Sequence, residues 1–341
     1  MKFYLEKLLG KNSLTENEMK AAVQEFFTKD ISDSEIAAFL TGLKAKGETA
    51  DEISGLVKVI RKHSMNFTKN HSGVIDNCGT GGDGSKSFNI STTSAFVIAG
   101  AGITVAKHGN RSVSSKTGSA DVLEELGIRL DLETETIEEI LEANGIAFLF
   151  APHVHPKLKQ IMKVRRELKI PTIFNLIGPL TNPVELDYQM LGIYRRDLLD
   201  QFAKVLANLG RKRAVVISGA GQMDEASLAG ENELVILTGG KLKSLKLHPE
   251  ELNMPVYDNT HILGGDARDN AEILTKILKG KKGPQRDTVL LNAGIGIFTA
   301  GKADSILDGI ALATESIDSG RALAKLENLI ALSSRTRKAV G

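Results

Sequence analysis

The chain of 341 residues exceeds the roughly 250–300 residues at which single hydrophobic cores usually divide, so two domains are expected. Its 43 basic and 42 acidic residues leave a formal net charge of +1, which removes the long-range field that would draw it to nucleic acid or an anionic membrane. A single cysteine, Cys78, excludes an internal disulfide framework and a multi-cysteine zinc site.

The opening residues MKFYLEKLLG are basic but broken by Glu6 and Lys7 and lack a small-residue cleavage site, so no signal peptide is read there. To about Asn70 the pattern is helical only. Three capping boxes punctuate it, Thr15…Glu18, Ser32…Glu35 and Thr49…Glu52, in which a hydroxyl accepts from the backbone three residues on while the carboxylate reaches back. Ile36, Phe39, Leu40 and Leu43 mark one apolar face of the second capped helix, and Gly47 ends it.

From Gly73 the pattern changes to short β-branched runs alternating with helices. Val74-Ile75 reads as a strand, Ser91–Ala101 as a helix and Ile103–Ala106 as a strand. Helices follow near Ser119–Leu126 and Glu135–Asn144, then a strand at Ile146–Phe150. Tyr188–Tyr194, Ala214–Ser218 and Glu233–Leu237 read as further strands, with a helix at Asp197–Leu209 and a largely helical tail from Ala267. No run reaches the ~18–20 apolar residues of a membrane span; the longest candidate, Ala95–Val105, contains Gly100 and Gly102. A cytoplasmic location is expected. The fold class is therefore α/β: a small N-terminal all-helical domain over 1–72, with a further helical contribution near 165–185, and a larger domain over 73–341 with a mostly parallel central sheet flanked by helices.

Open α/β sheets bind ligands beyond the carboxyl ends of their strands, and four loops at such ends are unusual. The first, Asn77–Gly84, is rich in glycine and leads through Ser87, Asn89, Ser91 and Thr92 into a helix, which suits a phosphate or pyrophosphate. It is not a Walker loop, since no Gly-Lys-Ser/Thr follows. Nor is it a dinucleotide site: the helix opens late, and no acidic residue lies between Asp83 and Asp121 to hold a ribose. The second, Lys107–Ser119, carries three cations, an imidazole and several hydroxyls. The third, Ala151–Pro156, holds His153 and His155; with no nearby third ligand they read as loop-shaping or substrate-contacting rather than zinc ligands. The helix after it carries Arg165 and Arg166, either of which can fork onto a carboxylate or simply face solvent. The fourth, Gly219–Glu225, ends in Asp224-Glu225, an acidic turn when taken alone and a magnesium site when read with the first loop. Cys78 has no adjacent basic partner and reads as a packing residue.

In this order the motifs resemble the anthranilate phosphoribosyltransferase family over nearly the whole chain. GTGGD at Gly79–Asp83, NIST at Asn89–Thr92 and KHGNRSVSSKTGSADVLEELG at Lys107–Gly127 carry the likeness. RREL at Arg165–Leu168, TIFNLIGPLTNP at Thr172–Pro183, DE at Asp224–Glu225, LLNAGIGIF at Leu290–Phe298 and the segment around Ile317–Gly320 continue it. The resemblance implies that Gly79, Gly82, Asp83, Ser87, Asn89, Ser91, Thr92, Lys107 and Ser119 hold phosphoribosyl pyrophosphate. It implies that Ser91, Asp224 and Glu225 engage Mg2+, and that Gly79, His108, Asn110 and Arg165 contact anthranilate. It implies a homodimer built through the helical domain, with hinges near Gly73 and Lys169–Asn175. The departures are Gln222-Met223 where Gly-Leu is frequent, Lys169 and Pro171 where Gly and Arg are, and Thr117 for a common Ser; none removes a side chain given a chemical role.

Two rival readings are weaker. A pyrimidine nucleoside phosphorylase would carry Lys-His-Ser-Thr-Gly-Gly, whereas Lys107-His108 is followed by Gly109-Asn110. A non-catalytic nucleic-acid-binding relative would show a basic surface and eroded motifs; neither a nucleic acid nor a membrane is an expected partner.

Overall fold

The computed structural model describes residues 1–28, 30–69, 71–111 and 117–335. Helices α1 (Lys2–Leu9), α2 (Glu16–Thr28), α3 (Asp33–Lys46) and α4 (Ala50–Lys62) form the N-terminal bundle. Each expected capping box is closed. The Thr15 N–H donates to Glu18 at 2.7 Å and the Glu18 N–H returns a bond to the hydroxyl at 3.2 Å; the Ser32–Glu35 and Thr49–Glu52 pairs do the same. Gly47, at φ +87°, stops α3 with its N–H on the Leu43 carbonyl at 3.0 Å.

The larger unit alternates. Strand β1 (Val74–Asp76) leads to α5 (Ile90–Gly100) and β2 (Thr104–Gly109), then α6 (Ser119–Glu125), α7 (Thr134–Asn144) and β3 (Ile146–Phe150). A helical turn, α8 (Ala151–Val154), and α9 (Lys159–Leu168) precede β4 (Tyr188–Gly192), α10 (Leu199–Asn208) and β5 (Arg213–Ser218). Strands β6 (Asn232–Thr238) and β7 (Lys241–Leu247) then precede α11 (Ala267–Leu278), α12 (Pro284–Thr299), α13 (Ile306–Asp318) and α14 (Arg321–Arg335). The described strands form one seven-stranded sheet in the order β3-β2-β1-β4-β5-β6-β7. Its first five strands run parallel, while β6 and β7 are antiparallel. The expected mostly parallel sheet is present.

Two details differ from the sequence reading. Strand β7, KLKSLKL, was not expected; its lysines suit an edge strand, where charge discourages pairing with another chain. Strand β2 also runs past Ala106 to Gly109. Lys107, His108 and Gly109 pair with Phe148, Leu149 and Phe150 of β3, so these polar residues are strand rather than loop.

Between α9 and β4 the chain turns through short 3-10 segments at Ile173–Asn175 and Gly178–Thr181. Ile161, Val164, Ile173, Leu176, Ile177 and Leu180 join the same apolar cluster as the N-terminal helices. The covalent link to the sheet is held by two carboxylates. Glu138 of α7, almost fully buried, accepts from the Thr68 and Lys69 amides at 2.6 and 2.8 Å, and Asp187 accepts from the Gly73 amide at 2.6 Å. On the sheet's other side α5, buried along nearly its whole length, packs under α12 and α14.

Strand β1 lies between β2, which continues to β3, and β4, which continues to β5. Chain direction across the sheet reverses there, and ligands collect at such switch points.

Candidate active site

The glycine loop leaves β1 at this reversal. Gly79 pairs with Gly192 at the end of β4, and the Thr80 N–H donates to the Gly192 carbonyl at 2.9 Å. Both positions need glycine because Asp224 lies against them. A Cβ at Gly79 would overlap the Asp224 carboxylate, and one at Gly192 would overlap the Asp224 carbonyl. Gly82, at φ +78°, requires glycine for its backbone conformation instead.

The fourth loop docks onto the first. Asp224 Oδ2 accepts from the Gly81 N–H at 2.6 Å, and the Asp224 N–H approaches Asp83 Oδ2 at 3.4 Å. Glu225 Oε1 accepts from the Ser91 N–H at 2.8 Å, so a carboxylate already occupies one amide of the α5 N-terminus. Burial, then repulsion from Asp83, pushes the Asp224 carboxyl up to about 7. Burial, then repulsion from Asp224 and Asp83, pushes Glu225 well above the usual carboxylate range. Lys107, nearly fully buried, is the cation that opposes Glu225.

Hard oxygen donors with too little cationic compensation fit magnesium. Among the described residues no three His, Cys, Asp or Glu side chains gather as a metal site on their own.

Several acceptors and donors around this cluster have no protein partner. Asn89 Oδ1, Thr92 Oγ1 and Asn77 Oδ1 are buried without a hydrogen bond, while the Asn77 amide donates to the Ser91 carbonyl at 2.9 Å. No hydrogen bond takes up the Gly82 and Asp83 N–H groups among the described residues. Ser87 bridges to Leu263, and its hydroxyl lies 3.1 Å from that of Ser85. Burial raises the Cys78 thiol to about 12, consistent with packing rather than nucleophilic chemistry.

The second loop is less available than its composition suggests. Arg111 reaches back to Asp121 at 2.9 Å and Glu124 at 2.5 Å, and its guanidinium lies 5.4 Å from the centre of the Phe150 ring. Of the three cations, Arg111 is thus engaged within the protein and Lys107 faces the carboxylates. Lys116 falls in Ser112–Lys116, outside the described residues. Asn110 and Ser119 close the neck of this loop: the Ser119 hydroxyl and the Ala120 N–H both donate to the Asn110 carbonyl at 3.2 Å.

A second group of side chains lies where β2 meets the 178–182 segment. His108 is buried and its Nδ1 contacts the Gly178 carbonyl at 3.1 Å. A carbonyl only accepts, so Nδ1 carries the proton and the unpartnered Nε2 presents a lone pair. His155 packs edge-on against this ring with centroids 5.5 Å apart. Burial lowers the two imidazoles to about 3 and about 4 respectively, so both are neutral at physiological pH. His153 instead bonds the Leu132 carbonyl at 2.9 Å and shapes the loop.

On α9, Arg166 is exposed, whereas Arg165 is half-buried with its guanidinium 5.2 Å from the Phe174 ring centre and 3.4 Å from Asn175 Oδ1. Desolvation lowers its pKa, and no carboxylate pairs with it among the described residues.

The chain is similar to known proteins over nearly its whole length. Residues 2–64 match the helical bundle domain of the glycosyl transferase family, and residues 71–323 match its a/b domain. The anthranilate phosphoribosyltransferase of Exiguobacterium sibiricum is 61% identical over 329 residues, 96% of this chain and 97% of the relative. That of Oceanobacillus iheyensis is 56% identical over 340 residues, covering 100% of both. The chain belongs to the anthranilate phosphoribosyltransferase family. A crystal structure of the anthranilate phosphoribosyltransferase from Thermus thermophilus superposes with a TM-score of 0.92 at 37% identity, covering 97% of this chain and 99% of that one. The Saccharomyces cerevisiae enzyme in complex with PRPP and Mg gives 0.87 at 27% identity, with 97% of each chain covered. The glycosyltransferase reading of the sequence therefore stands, and the phosphorylase and nucleic-acid-binding alternatives are not favoured. No helix among the described residues is long and apolar enough to cross a membrane.

Sequence reading gave Asn77 no role beyond its place in the glycine loop, missed Asp76, and did not link His155 to His108. Asn77 opens that loop and Asp76 ends β1 directly before it. His155 follows β3, and only the pairing of β3 with β2 brings it beside His108.

Proposed function

We propose that this chain transfers the 5-phosphoribosyl group from phosphoribosyl pyrophosphate to the amine of anthranilate, giving N-(5-phosphoribosyl)anthranilate and pyrophosphate in tryptophan biosynthesis. The observation that carries the residue-level reading is the pairing of two unlike half-sites at the ends of β1 and β2. One is anionic and glycine-rich, around Asp83, Asp224 and Glu225; the other is neutral and imidazole-lined, at His108, and α9 adds the Arg165 guanidinium, which no carboxylate pairs among the described residues.

Phosphoribosyl pyrophosphate would lie on the first half-site against Gly79, Gly82, Asp83, Ser87, Asn89, Ser91, Thr92, Lys107 and Ser119. The free Gly82 and Asp83 amides and the unpartnered Asn89 and Thr92 oxygens support this. Ser91, Asp224 and Glu225 would hold Mg2+; when bound, it supplies charge neutralisation for the departing pyrophosphate. Gly79, His108, Asn110 and Arg165 would hold anthranilate, with Arg165 on its carboxylate and the Nε2 lone pair of His108 accepting from its amine.

Bond breaking builds positive charge on the ribose and negative charge on the pyrophosphate. The buried Lys107 ammonium and the glycine-loop amides oppose the latter without reorganising. The arylamine attacks as a neutral group, so the chain's main task is to hold both substrates in line. Burial keeps His108 neutral and accepting, which orients the amine rather than stripping it of a proton in advance.

The test is loss of anthranilate fluorescence on adding phosphoribosyl pyrophosphate and magnesium. Loss that needs both supports the reading, and no loss with both present overturns it. The proposed homodimer would use the helical domain, where Phe3 and Leu9 of α1 are 61% and 76% exposed; a monomer in sedimentation at micromolar concentration would refute it.

A further inference from the structure

Asp76 ends β1 fully buried, and the chemistry described above gives it no role. Its Oδ2 accepts from the Asn182 amide at 2.9 Å, and its Oδ1 lies 3.4 Å from the His108 backbone nitrogen, whose N–H donates to it. Asn182, also fully buried, gives its second amide hydrogen to the Ala106 carbonyl of β2 at 2.8 Å, while its Oδ1 accepts from the Val184 N–H at 3.0 Å. Every polar atom of that amide is therefore matched, and it joins β1, β2 and the segment before β4.

That segment also controls His108. Gly178 lies four residues before Asn182, and its carbonyl accepts from His108 Nδ1 at 3.1 Å and from the Thr181 hydroxyl at 2.9 Å. Gln189 of β4 holds the Pro179 carbonyl at 2.7 Å. The 178–182 turn is thus pinned at one end by Gln189 and at the other by Asp76 through Asn182. The turn in turn decides which nitrogen of His108 carries the proton and where the lone pair points.

We propose that Asp76, acting through Asn182 and the Gly178 carbonyl, is a positioning residue for the anthranilate half of the site, fixing the tautomer and orientation of His108. This rests on the reading that His108 receives the arylamine. The carboxylate is required because only an acceptor on both oxygens satisfies its neighbours. In Asp76→Asn the new NH2 must face either the Asn182 amide hydrogens or the His108 N–H, donor against donor. The isosteric change keeps the volume and breaks the relay.

The experiment uses Asp76→Asn, Asn182→Ala and the double variant of the full chain. Steady-state KM is measured for both substrates, and histidine 15N NMR is recorded on the ligand-free protein. Each single change should raise the anthranilate KM about tenfold, the size expected for misplacing one charge-assisted or buried hydrogen bond, and leave that for phosphoribosyl pyrophosphate within about twofold. The double variant should be no worse than the worse single one, because both act on one relay. The His108 signal should lose its pure Nδ1-protonated pattern. Equal rises in both KM values, or an unaltered His108 ring signature, overturn the proposal. Asn182→Ala carries the same test if Asp76→Asn does not fold. Should the unaltered protein fail to consume anthranilate, the functional reading falls, while the ligand-free histidine spectrum still decides whether Asp76 sets the ring.

Discussion

Gly79→Ala places one methyl group between the two loops that form the anionic half-site. The new Cβ overlaps Asp224 Oδ2 and stands 2.9 Å from the Asp224 carbonyl oxygen and 3.0 Å from its Cγ. Oδ2 is the atom that accepts from Gly81 at 2.6 Å, so the carboxylate must turn away and lose that bond. Restoring ordinary contact distances requires a shift of about 1 Å. Overpacking of this kind costs about 1–3 kcal/mol, which for a chain of this length lowers the melting temperature by roughly 1–4 °C. A misplacement of about 1 Å among groups that position substrates can cost about a hundredfold in rate. Gly82→Ala is the control: φ there is +78° and the nearest atom, on Tyr194, is 3.8 Å away, so its cost of about 1–2 kcal/mol is backbone strain and not displacement of Asp224. Stopped-assay or fluorescence kinetics at varied magnesium, with thermal unfolding, compares the two. Measured at saturating phosphoribosyl pyrophosphate, Gly79→Ala should raise the magnesium needed for half-maximal rate, whereas Gly82→Ala, which leaves Asp224 in place, should act mainly on the KM for phosphoribosyl pyrophosphate. If Gly79→Ala keeps the parental rate and magnesium dependence, the contact between the loops has no bearing on catalysis and the argument fails.

Arg165→Ala should raise the anthranilate KM about ten- to a hundredfold, from a charge-assisted contact of roughly 1.5–3 kcal/mol, and spare the other substrate; an unchanged value would pass the role to Arg166. The double change Asp224→Asn, Glu225→Gln should need far more magnesium for half-maximal rate with the fold intact by circular dichroism. Because the Asp224 carboxyl is raised to about 7, protons compete with the metal, and the unaltered protein should need less magnesium as pH rises from about 6 to 8. A pH-independent requirement in the unaltered protein, or an unaltered requirement and rate in the double variant, refutes that assignment. His108 and His155, lowered to about 3 and about 4, stay neutral when folded and take up protons below about 6.5 only when unfolded. Their contribution is complete above that pH and is lost as pH falls toward 4. In urea titrations the His108→Gln, His155→Gln variant should therefore lose less stability between pH 7 and 4.5 than the parent, and an equal loss would count against burial as the cause.

What the sequence determined by itself was local. Capping boxes place their hydrogen bonds within three residues, so Thr15, Ser32 and Thr49 announced the helix starts that the structure shows. Alternation of strand and helix gave the fold class, and the glycine, hydroxyl and acidic runs after strands pointed to the edge where chemistry gathers. Tertiary structure decided which of these groups meet. Glu225 reaches the Ser91 amide across 134 residues, and Asp224 reaches Gly81 across 143. Arg111 reads as a free cation in sequence, yet Asp121, Glu124 and Phe150 engage it once α6 and β3 are placed. Lys107 and His108 look like loop residues because polar side chains mask the strand pattern; pairing with Phe148 and Leu149 makes them strand. The Asp76–Asn182 bond joins residues 106 positions apart that share no motif. Local pattern reports the backbone's short-range hydrogen bonds, whereas strand order, set by burial of the whole sheet, chooses among the long-range contacts that build the site.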